Sequence, residues 1–184
     1  MGMIVCEVDG TSLQVATKPD LFSPKALDIG SRLLLDSVKT WQYEQVLDWG
    51  CGWGAIGLWL AKRNSRASIT MLDSDIAAVA TAQSNATHNE LGNATVLASH
   101  GYEQLSTDAH YDLICSNPPT HRGREVVDMM IAQSFDRLTP GGKLVLVVEA
   151  RIKPWVAREM TKTFGSYKIL KRGPKNVVLV SVKE

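Results

Sequence analysis

Short apolar runs alternate with segments of helical spacing along most of the chain. Apolar residues three or four positions apart predict helices over residues 25–39, 55–62, 76–89, 125–138 and 153–163. Short runs rich in Val, Ile and Leu predict strands over 45–49, 68–72, 95–98, 111–115, 144–149, 167–170 and 176–182. Because connections of helix length separate most of these strands, we predict a parallel sheet covered by helices on both faces.

The two ends of the chain complete this architecture. Arg172-Gly173-Pro174 separates the last two apolar runs, which we expect to pair and to leave one antiparallel edge strand. Residues 2–17 alternate weakly around Asp9-Gly10, which predicts a small hairpin in an N-terminal extension of residues 1–20. We therefore predict a single α/β domain over residues 1–184. Its sheet is Rossmann-like, doubly wound, mostly parallel and seven-stranded, and ligands of such sheets bind beyond the carboxyl ends of the strands.

Composition narrows the classes of function that remain open. A formal net charge of +1 over 184 residues supplies no general basic surface for a nucleic-acid backbone. No run approaches the roughly 20 apolar residues of a membrane span, and the first residues lack the pattern of a signal peptide. Three widely spaced cysteines, Cys6, Cys51 and Cys115, without clustered histidines favour free thiols and no metal site. We therefore expect a cytoplasmic protein without membrane or metal partners.

Three glycines at alternate positions follow the first strand of the predicted sheet. Asp48 precedes Gly50, Gly52 and Gly54, and a predicted helix begins directly afterwards. Glycine permits positive φ and a close approach of the backbone to a ligand, and amides at a helix start attract an anion. The spacing also fits a dinucleotide-binding loop. Asp48, however, would repel a pyrophosphate and favour a cationic ligand, and the chain lacks a second nucleotide-binding half. A tight turn without a ligand is the structural alternative.

Polar residues end the next two predicted strands. Asp73 lies about 20 residues after the glycine loop, where such folds place the acid that hydrogen-bonds ribose hydroxyls. Ser74 follows it, and His100 lies at the end of the next strand, so both join the candidate cofactor-binding residues. We expect Asp75 to cap the following helix. The alternatives are a second helix cap for Asp73 and a solvated loop position for His100.

Asn117-Pro118-Pro119 follows the fourth strand of the predicted sheet. Two prolines fix φ, remove two backbone donors and keep the preceding residue out of helical geometry. Asn117 is therefore expected to be extended, with its carbonyl and that of Pro118 free to accept hydrogen bonds. A plain turn is the alternative interpretation of these residues in isolation.

Together these features resemble the small-domain family of S-adenosylmethionine-dependent methyltransferases. An acid before three alternating glycines is similar to the cofactor loop of Rossmann-like methyltransferases, whose cofactor carries an ammonium, a sulfonium and a carboxylate. Asn117-Pro118-Pro119 resembles the N-P-P-[YF] motif of enzymes that methylate planar nitrogens. The small-domain enzymes include bacterial ribosomal RNA guanine-N2 methyltransferases. A segment similar to theirs is LFSPKALDIGSRLLL, the 21–35 segment. The resemblance covers about residues 12–182 and extends to His121-x-Gly123 and to the tail from Gly141-Gly142-Lys143-Leu144 through Phe164-Gly165.

The resemblance implies S-adenosyl-L-methionine as cofactor and an exocyclic amine as acceptor, with guanine N2 of ribosomal RNA as the expected target. In the family, the Asn side-chain carbonyl and the first Pro carbonyl accept the two amine hydrogens. These roles map onto Asn117 and Pro118, and Pro119 is the second motif proline. Two neutral acceptors stabilise the positive charge that grows on nitrogen, and positioning supplies much of the rate of an in-line displacement. No strong base is needed, because the proton leaves afterwards.

One position departs from the family pattern. Thr120 stands where the family has an aromatic residue that stacks on the target base, an interaction worth roughly 1–3 kcal/mol. Phe22, Trp53 and Trp155 are candidates to replace it. The two-domain RNA enzymes also carry an N-terminal domain that this chain is expected to lack.

Two other functions therefore stay open. In the first, the chain methylates a protein glutamine or a small-molecule amine. In the second, it is a non-catalytic cofactor-binding partner of a second subunit. Four basic residues form either a small basic rim for RNA or an ordinary solvated face. They are Arg122, Arg124, Arg151 and Lys153. The oligomeric state has no signature in the sequence.

Overall fold

The structure is a computed structural model that describes residues 2–184, except for the side chain of His121. The strands of the described residues are β1 (Gly2–Val8), β2 (Thr11–Thr17), β3 (Gln45–Trp49), β4 (Ser68–Asp73), β5 (Ala94–Ala98), β6 (Tyr111–Ser116), β7 (Leu138–Glu149), β8 (Lys168–Arg172) and β9 (Asn176–Val182). The helices are α1 (Ile29–Val38), α2 (Ala55–Arg63), α3 (Ile76–His88), α4 (Arg124–Arg137) and α5 (Lys153–Phe164), with a short 3-10 helix at Thr120–Arg122.

Seven strands form one sheet in the order β5-β4-β3-β6-β7-β9-β8. All neighbouring pairs from β5 to β7 are parallel, whereas β9 runs antiparallel to both β7 and β8. The predicted seven-stranded, mostly parallel, doubly wound sheet is confirmed. The antiparallel strand β9 lies one position in from the edge, and β8 is the outermost strand.

Helices cover both faces of this sheet, as the sequence predicted. On one face, α1, α2 and α3 contribute side chains such as Leu34, Leu58 and Ala82 to a continuous apolar core. On the other face, α4 and α5 contribute Met130 and Val156 to a second core. Since the inner strands of the sheet are buried on both faces, the near-continuous apolar runs of the sequence follow from this arrangement.

The N-terminal hairpin is also confirmed. β1 and β2 pair antiparallel from Gly2–Thr17 to Val8–Thr11, and Asp9 and Gly10 form the turn with φ of 49° and 73°. Positive φ at both central residues is typical of hairpin turns whose twist matches that of the strands. The hairpin adds Cys6, Leu13 and Val15 to the core under α2 and α3.

Two element boundaries differ from the prediction by four residues or more. The helix predicted over 25–39 begins only at Ile29, because the Asp28 side chain accepts a hydrogen bond from the Ser31 amide and caps the helix there. The strand predicted over 144–149 begins at Leu138. Residues 139–142, which lie between the predicted helix and the predicted strand, continue the strand as an irregular stretch. Gly141 has φ of 79° there and its amide donates to the Lys183 carbonyl.

None of the helices in the described part of the chain has the length and hydropathy that a membrane span needs. Within residues 2–184, His121 aside, no group of three or more His, Cys, Asp or Glu side chains is placed to hold a metal ion. Cys6, Cys51 and Cys115 are free thiols and all three are buried.

Candidate active site

The candidate site lies at the carboxyl edge of the sheet, where the strand order reverses. β3 pairs with β4 on one side and with β6 on the other, so the segments that follow these three strands meet at one place. The Gly52 amide donates to Asp73 at 2.8 Å, and a Cβ at Gly50 would lie 3.8 Å from Pro119 Cδ. The fold therefore brings together the glycine loop, the end of β4 and the Asn-Pro-Pro segment.

The glycine loop has a backbone that other residues rarely adopt. Gly50, Gly52 and Gly54 have φ of 73°, 56° and 98°, all in the left-handed region. A Cβ added at Gly52 would meet no atom within 4 Å. At Gly52 the loop thus presents bare backbone to open space, which is the surface that a closely packed cofactor needs.

Several loop amides are already occupied. The amides of Gly50 and Cys51 both donate to the Leu72 carbonyl, and that of Gly52 donates to Asp73. The amides left to attract an anion are therefore those of Ala55 and Ile56 in the first turn of α2, which have no helical acceptor. Gly54 is the N-cap of this helix and supplies no side-chain cap. A carboxylate is the kind of group that this helix start favours.

Asp48 lies beneath the loop. Its side chain is fully buried, and Oδ2 accepts a hydrogen bond from the Gly57 amide at 2.8 Å. Oδ1 is buried without a hydrogen-bond partner in the described structure. Burial raises the pKa of Asp48 to about 7, the Gly57 amide opposes this effect, and the charge of Asp73 adds to it. Asp48 thus supports the start of α2 from below, and its direct contact with a cationic ligand stays a prediction.

Asp73 is half-buried at the end of β4 and uses both carboxylate oxygens. Oδ2 accepts from the Gly52 amide, and Oδ1 accepts from the Asp75 amide at 2.9 Å. Asp75 caps α3 through its own side chain, which accepts from the Ala77 amide, so the predicted helix cap at Asp75 is confirmed. Since each carboxylate oxygen keeps a second lone pair, Asp73 can still accept hydrogen bonds from a ligand.

Ser74 and His100 flank this acid. The Ser74 hydroxyl accepts a hydrogen bond from the Arg122 guanidinium at 2.8 Å, which links the end of β4 to the segment after the prolines. His100 is exposed after β5, and the neighbouring Ser99 amide donates to the Asp73 carbonyl. The structure therefore places both residues along the same edge as Asp73.

Asn117 is held by two side chains that the sequence did not identify as functional. Its Nδ2 donates to Asp28 Oδ2 at 2.9 Å and to Ser31 Oγ at 3.1 Å. These contacts engage the amide nitrogen, and Oδ1 accepts no hydrogen bond from the residues that the structure describes. The 21–35 segment, which contains Asp28 and Ser31, was recognisable by resemblance, but its contact with Asn117 was not.

Pro118 and Pro119 follow in a tight turn. The Pro118 carbonyl accepts a hydrogen bond from the Thr120 amide at 2.8 Å, and the Pro119 carbonyl accepts from the Arg122 amide. A carbonyl oxygen has two lone pairs. The Thr120 amide uses one lone pair of the Pro118 carbonyl, so the expectation that this carbonyl is free holds only for the other lone pair.

The three aromatic candidates differ in exposure. Trp53 is only 3% exposed, and its indole nitrogen donates to the Phe22 carbonyl at 3.0 Å. Phe22 is 62% exposed and is held beside the glycine loop by that bond. Trp155 already contacts the Arg124 guanidinium, which lies 5.2 Å from its ring centroid. Of the three, Phe22 offers an open ring face next to the loop.

The four basic residues do not act as one free patch. Arg122 is bonded to Ser74, Arg124 covers Trp155, Arg151 pairs with Glu149, and Lys153 lies 5.8 Å from the ring centroid of Tyr167. Each charge is therefore partly committed to a neighbour, which agrees better with a solvated face than with a continuous rim.

Known proteins of similar sequence are named as ribosomal RNA methyltransferases. Over 175 residues the chain is 34% identical to "Ribosomal RNA small subunit methyltransferase C" of Erwinia tasmaniensis, covering 93% of this chain and 50% of the relative. It is 30% identical to "Ribosomal RNA large subunit methyltransferase G" of Photobacterium profundum, covering 96% of this chain and 48% of the relative. The chain thus spans about half the length of these curated relatives.

A solved structure has the same architecture. The T. thermophilus 16S rRNA N2 methyltransferase RsmC, determined in complex with AdoMet and guanosine, superposes with a TM-score of 0.88 at 28% identity. The match covers 100% of this chain and 50% of that one. The family profile described as "Methyltransferase small domain" matches residues 12–180, which is most of the chain. The chain therefore belongs to the methyltransferase small domain family.

Proposed function

We propose that this chain binds S-adenosyl-L-methionine and methylates an exocyclic amine, namely guanine N2 of ribosomal RNA. The observation that carries the proposal is the orientation of the Asn117 amide, whose nitrogen is bonded to Asp28 and Ser31 and whose oxygen has no donor among the described residues. A free amide oxygen beside a bare glycine loop suits a reaction in which an N–H group must be held while its nitrogen is alkylated. The names of the relatives support the same acceptor.

The cofactor-binding residues of the proposal fit the groups of this cofactor. Gly50, Gly52 and Gly54 give the loop its left-handed backbone, Gly52 leaves open space for close packing, and the start of α2 favours a carboxylate. Asp73 keeps acceptor capacity for ribose hydroxyls. Ser74 and His100 lie on the same edge and extend the proposed binding surface. The bound cofactor supplies a methyl group made electrophilic by its sulfonium.

Asn117 and Pro118 are the proposed catalytic acceptors. Asn117 Oδ1 and the remaining lone pair of the Pro118 carbonyl accept the two hydrogens of the amine, which directs the nitrogen lone pair into the cleft. Both acceptors are neutral, and both stabilise the positive charge that develops on nitrogen. Pro119 stiffens the turn, so the two carbonyls keep their positions. The excess proton of the product is lost to water.

The location of the protein, its domain organisation and the residue that stacks on the base follow from the same proposal. Ribosomal RNA as acceptor places the protein in the cytoplasm, and residues 1–184 act as a single domain with the hairpin as an N-terminal extension. Phe22 takes the stacking role of the family aromatic, since Thr120 has no ring and the Phe22 side chain is exposed beside the loop.

Substitution of Asn117 tests the proposal. We expect Asn117→Ala to bind S-adenosylmethionine in isothermal titration as tightly as the wild type, because the amide faces the acceptor rather than the cofactor. Transfer of a radioactive methyl group should fall by about 100-fold or more, as it does when one charge-stabilising hydrogen bond is removed from an active site. The acceptor pools are total RNA and total protein from a strain that lacks the gene.

The labelling pattern separates the three candidate functions. Label in ribosomal RNA that disappears with Asn117→Ala supports the proposal, whereas label in protein or in a small-molecule amine changes the acceptor. Tight cofactor binding without transfer to any pool would leave a non-catalytic partner subunit as the function. Full activity of Asn117→Ala would contradict the proposed chemistry itself.

A further inference from the structure

We propose that Asp28 and Ser31 are positioning residues that hold the Asn117 amide with its oxygen towards the acceptor amine. The inference rests on the proposed function and goes beyond it, because it gives a task to the 21–35 segment. Asp28 and Ser31 lie in that segment, and their side chains contact Asn117 across the carboxyl edge of the sheet.

The Asp28 carboxylate decides which way the amide points. Asn117 Nδ2 lies 2.9 Å from Asp28 Oδ2, and an ionised carboxylate can only accept hydrogen bonds. The amide oxygen therefore has no attractive partner at this position. Ser31 Oγ, at 3.1 Å, accepts the second hydrogen, but a hydroxyl can also donate and so does not by itself discriminate between the two orientations.

The wrong orientation would block the proposed reaction. Rotation of the amide plane by half a turn exchanges the oxygen and the nitrogen of Asn117. The nitrogen would then present donors to the N–H groups of the acceptor amine, and the oxygen would face the Asp28 carboxylate. Both contacts are repulsive, so Asp28 excludes an orientation that an unsupported asparagine would populate.

Local packing at the start of α1 places the Asp28 carboxylate within hydrogen-bond distance of the Asn117 amide. Asp28 Oδ2 also accepts from the Ser31 amide at 3.0 Å, so the same oxygen caps α1 and holds Asn117. Gly30 allows the helix start to lie this close. A Cβ at Gly30 would come within 2.9 Å of Asp28 Oδ2 and 3.3 Å of Val147 Cγ2. The sequence Asp28-Ile29-Gly30-Ser31 therefore supplies an acceptor, a close approach and a second acceptor in one turn.

The capping role and the positioning role can be separated by substitution. Asp28→Ser keeps an N-cap side chain, since serine caps as well as aspartate, but its hydroxyl is one carbon too short to hold Asn117. Ser31→Ala removes the hydroxyl and leaves the capped amide in place. Ser37→Ala is the matched control, because Ser37 lies on the same helix and, among the described residues, its hydroxyl bonds to the Leu33 carbonyl alone.

Turnover and cofactor affinity are measured for these variants at saturating S-adenosylmethionine, with the acceptor that the wild type labels. We expect Asp28→Ser to lower kcat by about 10- to 100-fold, the value of one hydrogen bond to a charged group, and Ser31→Ala to lower it by a few-fold. Ser37→Ala should stay within about 2-fold, and the cofactor Kd should change by less than about 3-fold throughout.

A spectroscopic signature reports the contact directly. In 15N-labelled protein, the side-chain amide pair that is absent from Asn117→Ala belongs to Asn117. We expect its hydrogens to exchange slowly with water in the wild type and at least about 10-fold faster in Asp28→Ser, with no change in Ser37→Ala.

Two outcomes would overturn the inference. Wild-type kcat in Asp28→Ser, or unchanged exchange of the Asn117 amide, would do so while leaving the role of Asn117 intact. If Asn117→Ala itself keeps full activity, the proposed function fails first, so the two failures are distinguishable. Should Asp28→Ser fail to fold, Ser31→Ala carries the same measurements.

Discussion

Among the proposed site residues, Asp48 is the one whose pKa is raised most by burial. Its carboxyl group is fully buried, one of its oxygens has no hydrogen-bond partner among the described residues, and burial raises its pKa to about 7 from an ordinary value near 4. The folded protein therefore holds a proton on Asp48 over a range of pH in which the unfolded chain has lost it. By linkage, the folded state loses stability as pH rises through this window, and it recovers that stability as pH falls.

We expect Asp48→Asn to remove this pH dependence. Between pH 5 and pH 8 the ionisation of Asp48 should lower the free energy of unfolding of the wild type by about 2 to 3 kcal/mol. Asparagine keeps an oxygen for the Gly57 amide and cannot ionise, so the variant should show a flatter profile. Urea unfolding at the two pH values measures the difference. Parallel profiles for the two proteins would mean that Asp48 titrates in its ordinary range.

Site features that depend on local sequence could be predicted, whereas contacts between residues far apart in the chain could not. The glycine loop, Asp73 and Asn117 could be predicted, because each follows directly from a strand end and a local spacing. The contact of Asn117 with Asp28 joins residues 89 positions apart, and the burial of Asp48 depends on α2 packing over β3. No local pattern encodes such contacts, since they arise only when the sheet and its helices are assembled.

At the scale of elements, Asn85 of α3 and Asn89, which caps the end of this helix, protect the free edge of β2. Asn85 Oδ1 accepts from the Ala16 amide at 2.7 Å, and its Nδ2 donates to the carbonyls of Ala16 and Trp53. Asn89, one helical turn later, makes the same two-way contact with Gln14. The two side chains together replace the hydrogen bonds of a missing strand, which satisfies an edge that could otherwise pair with another chain.

We expect Asn85→Ala to destabilise the fold and to weaken cofactor binding. Asn85 is buried, and its loss leaves backbone groups of Ala16 and Trp53 unpaired, which should lower the free energy of unfolding by about 3 kcal/mol. Because Trp53 lies in the glycine loop, the Kd for S-adenosylmethionine should rise several-fold. Asn89→Ala is the matched control. Its site is more open to water, so we expect a loss of about 1 kcal/mol and an unchanged Kd. Equal effects of both substitutions would argue against this role of Asn85.

Element boundaries were harder to predict than element types. The Asp28 cap starts α1 four residues after the first residue of the predicted helix, because a side-chain acceptor competes with helical extension there. The Pro140-Gly141-Gly142 sequence is typical of a turn. The Lys183 carbonyl nevertheless gives Gly141 a partner and draws this stretch into β7. In both cases a hydrogen bond outside the local pattern set the boundary.

At the scale of the whole molecule, alternation of strands and helices was enough to predict a doubly wound sheet. It was not enough to place β9 between β7 and β8, because an antiparallel pair can join an edge in either order and local hydrophobicity is the same for both. The insertion of β9 gives β7 a long antiparallel partner from Lys143 to Glu149. This pair of strands packs against α1, and two residues at the start of that helix, Asp28 and Ser31, hold Asn117.

Because one continuous sheet positions every part of the site, a bound cofactor should stabilise the whole chain. We expect S-adenosylhomocysteine at 100 times its Kd to add about 2.7 kcal/mol to the free energy of unfolding, which corresponds to a rise in Tm of roughly 5–10 °C. In Asp73→Ala at the same ligand concentration, the rise should fall to about half or less. The substitution removes the carboxylate that we propose binds the ribose hydroxyls. The same carboxylate also accepts a hydrogen bond from the Gly52 amide.

Asp75→Ala distinguishes ligand binding from general loss of stability. Asp75 lies two residues after Asp73 and caps α3, so its removal should lower the Tm of the free protein through the loss of about 1 kcal/mol. The rise produced by S-adenosylhomocysteine should nevertheless match that of the wild type, because the Asp75 side chain bonds the Ala77 amide and has no part in the proposed binding surface. A full ligand-induced rise in Asp73→Ala would remove Asp73 from the ribose role. The absence of any rise in the wild type would remove the cofactor from the proposed function.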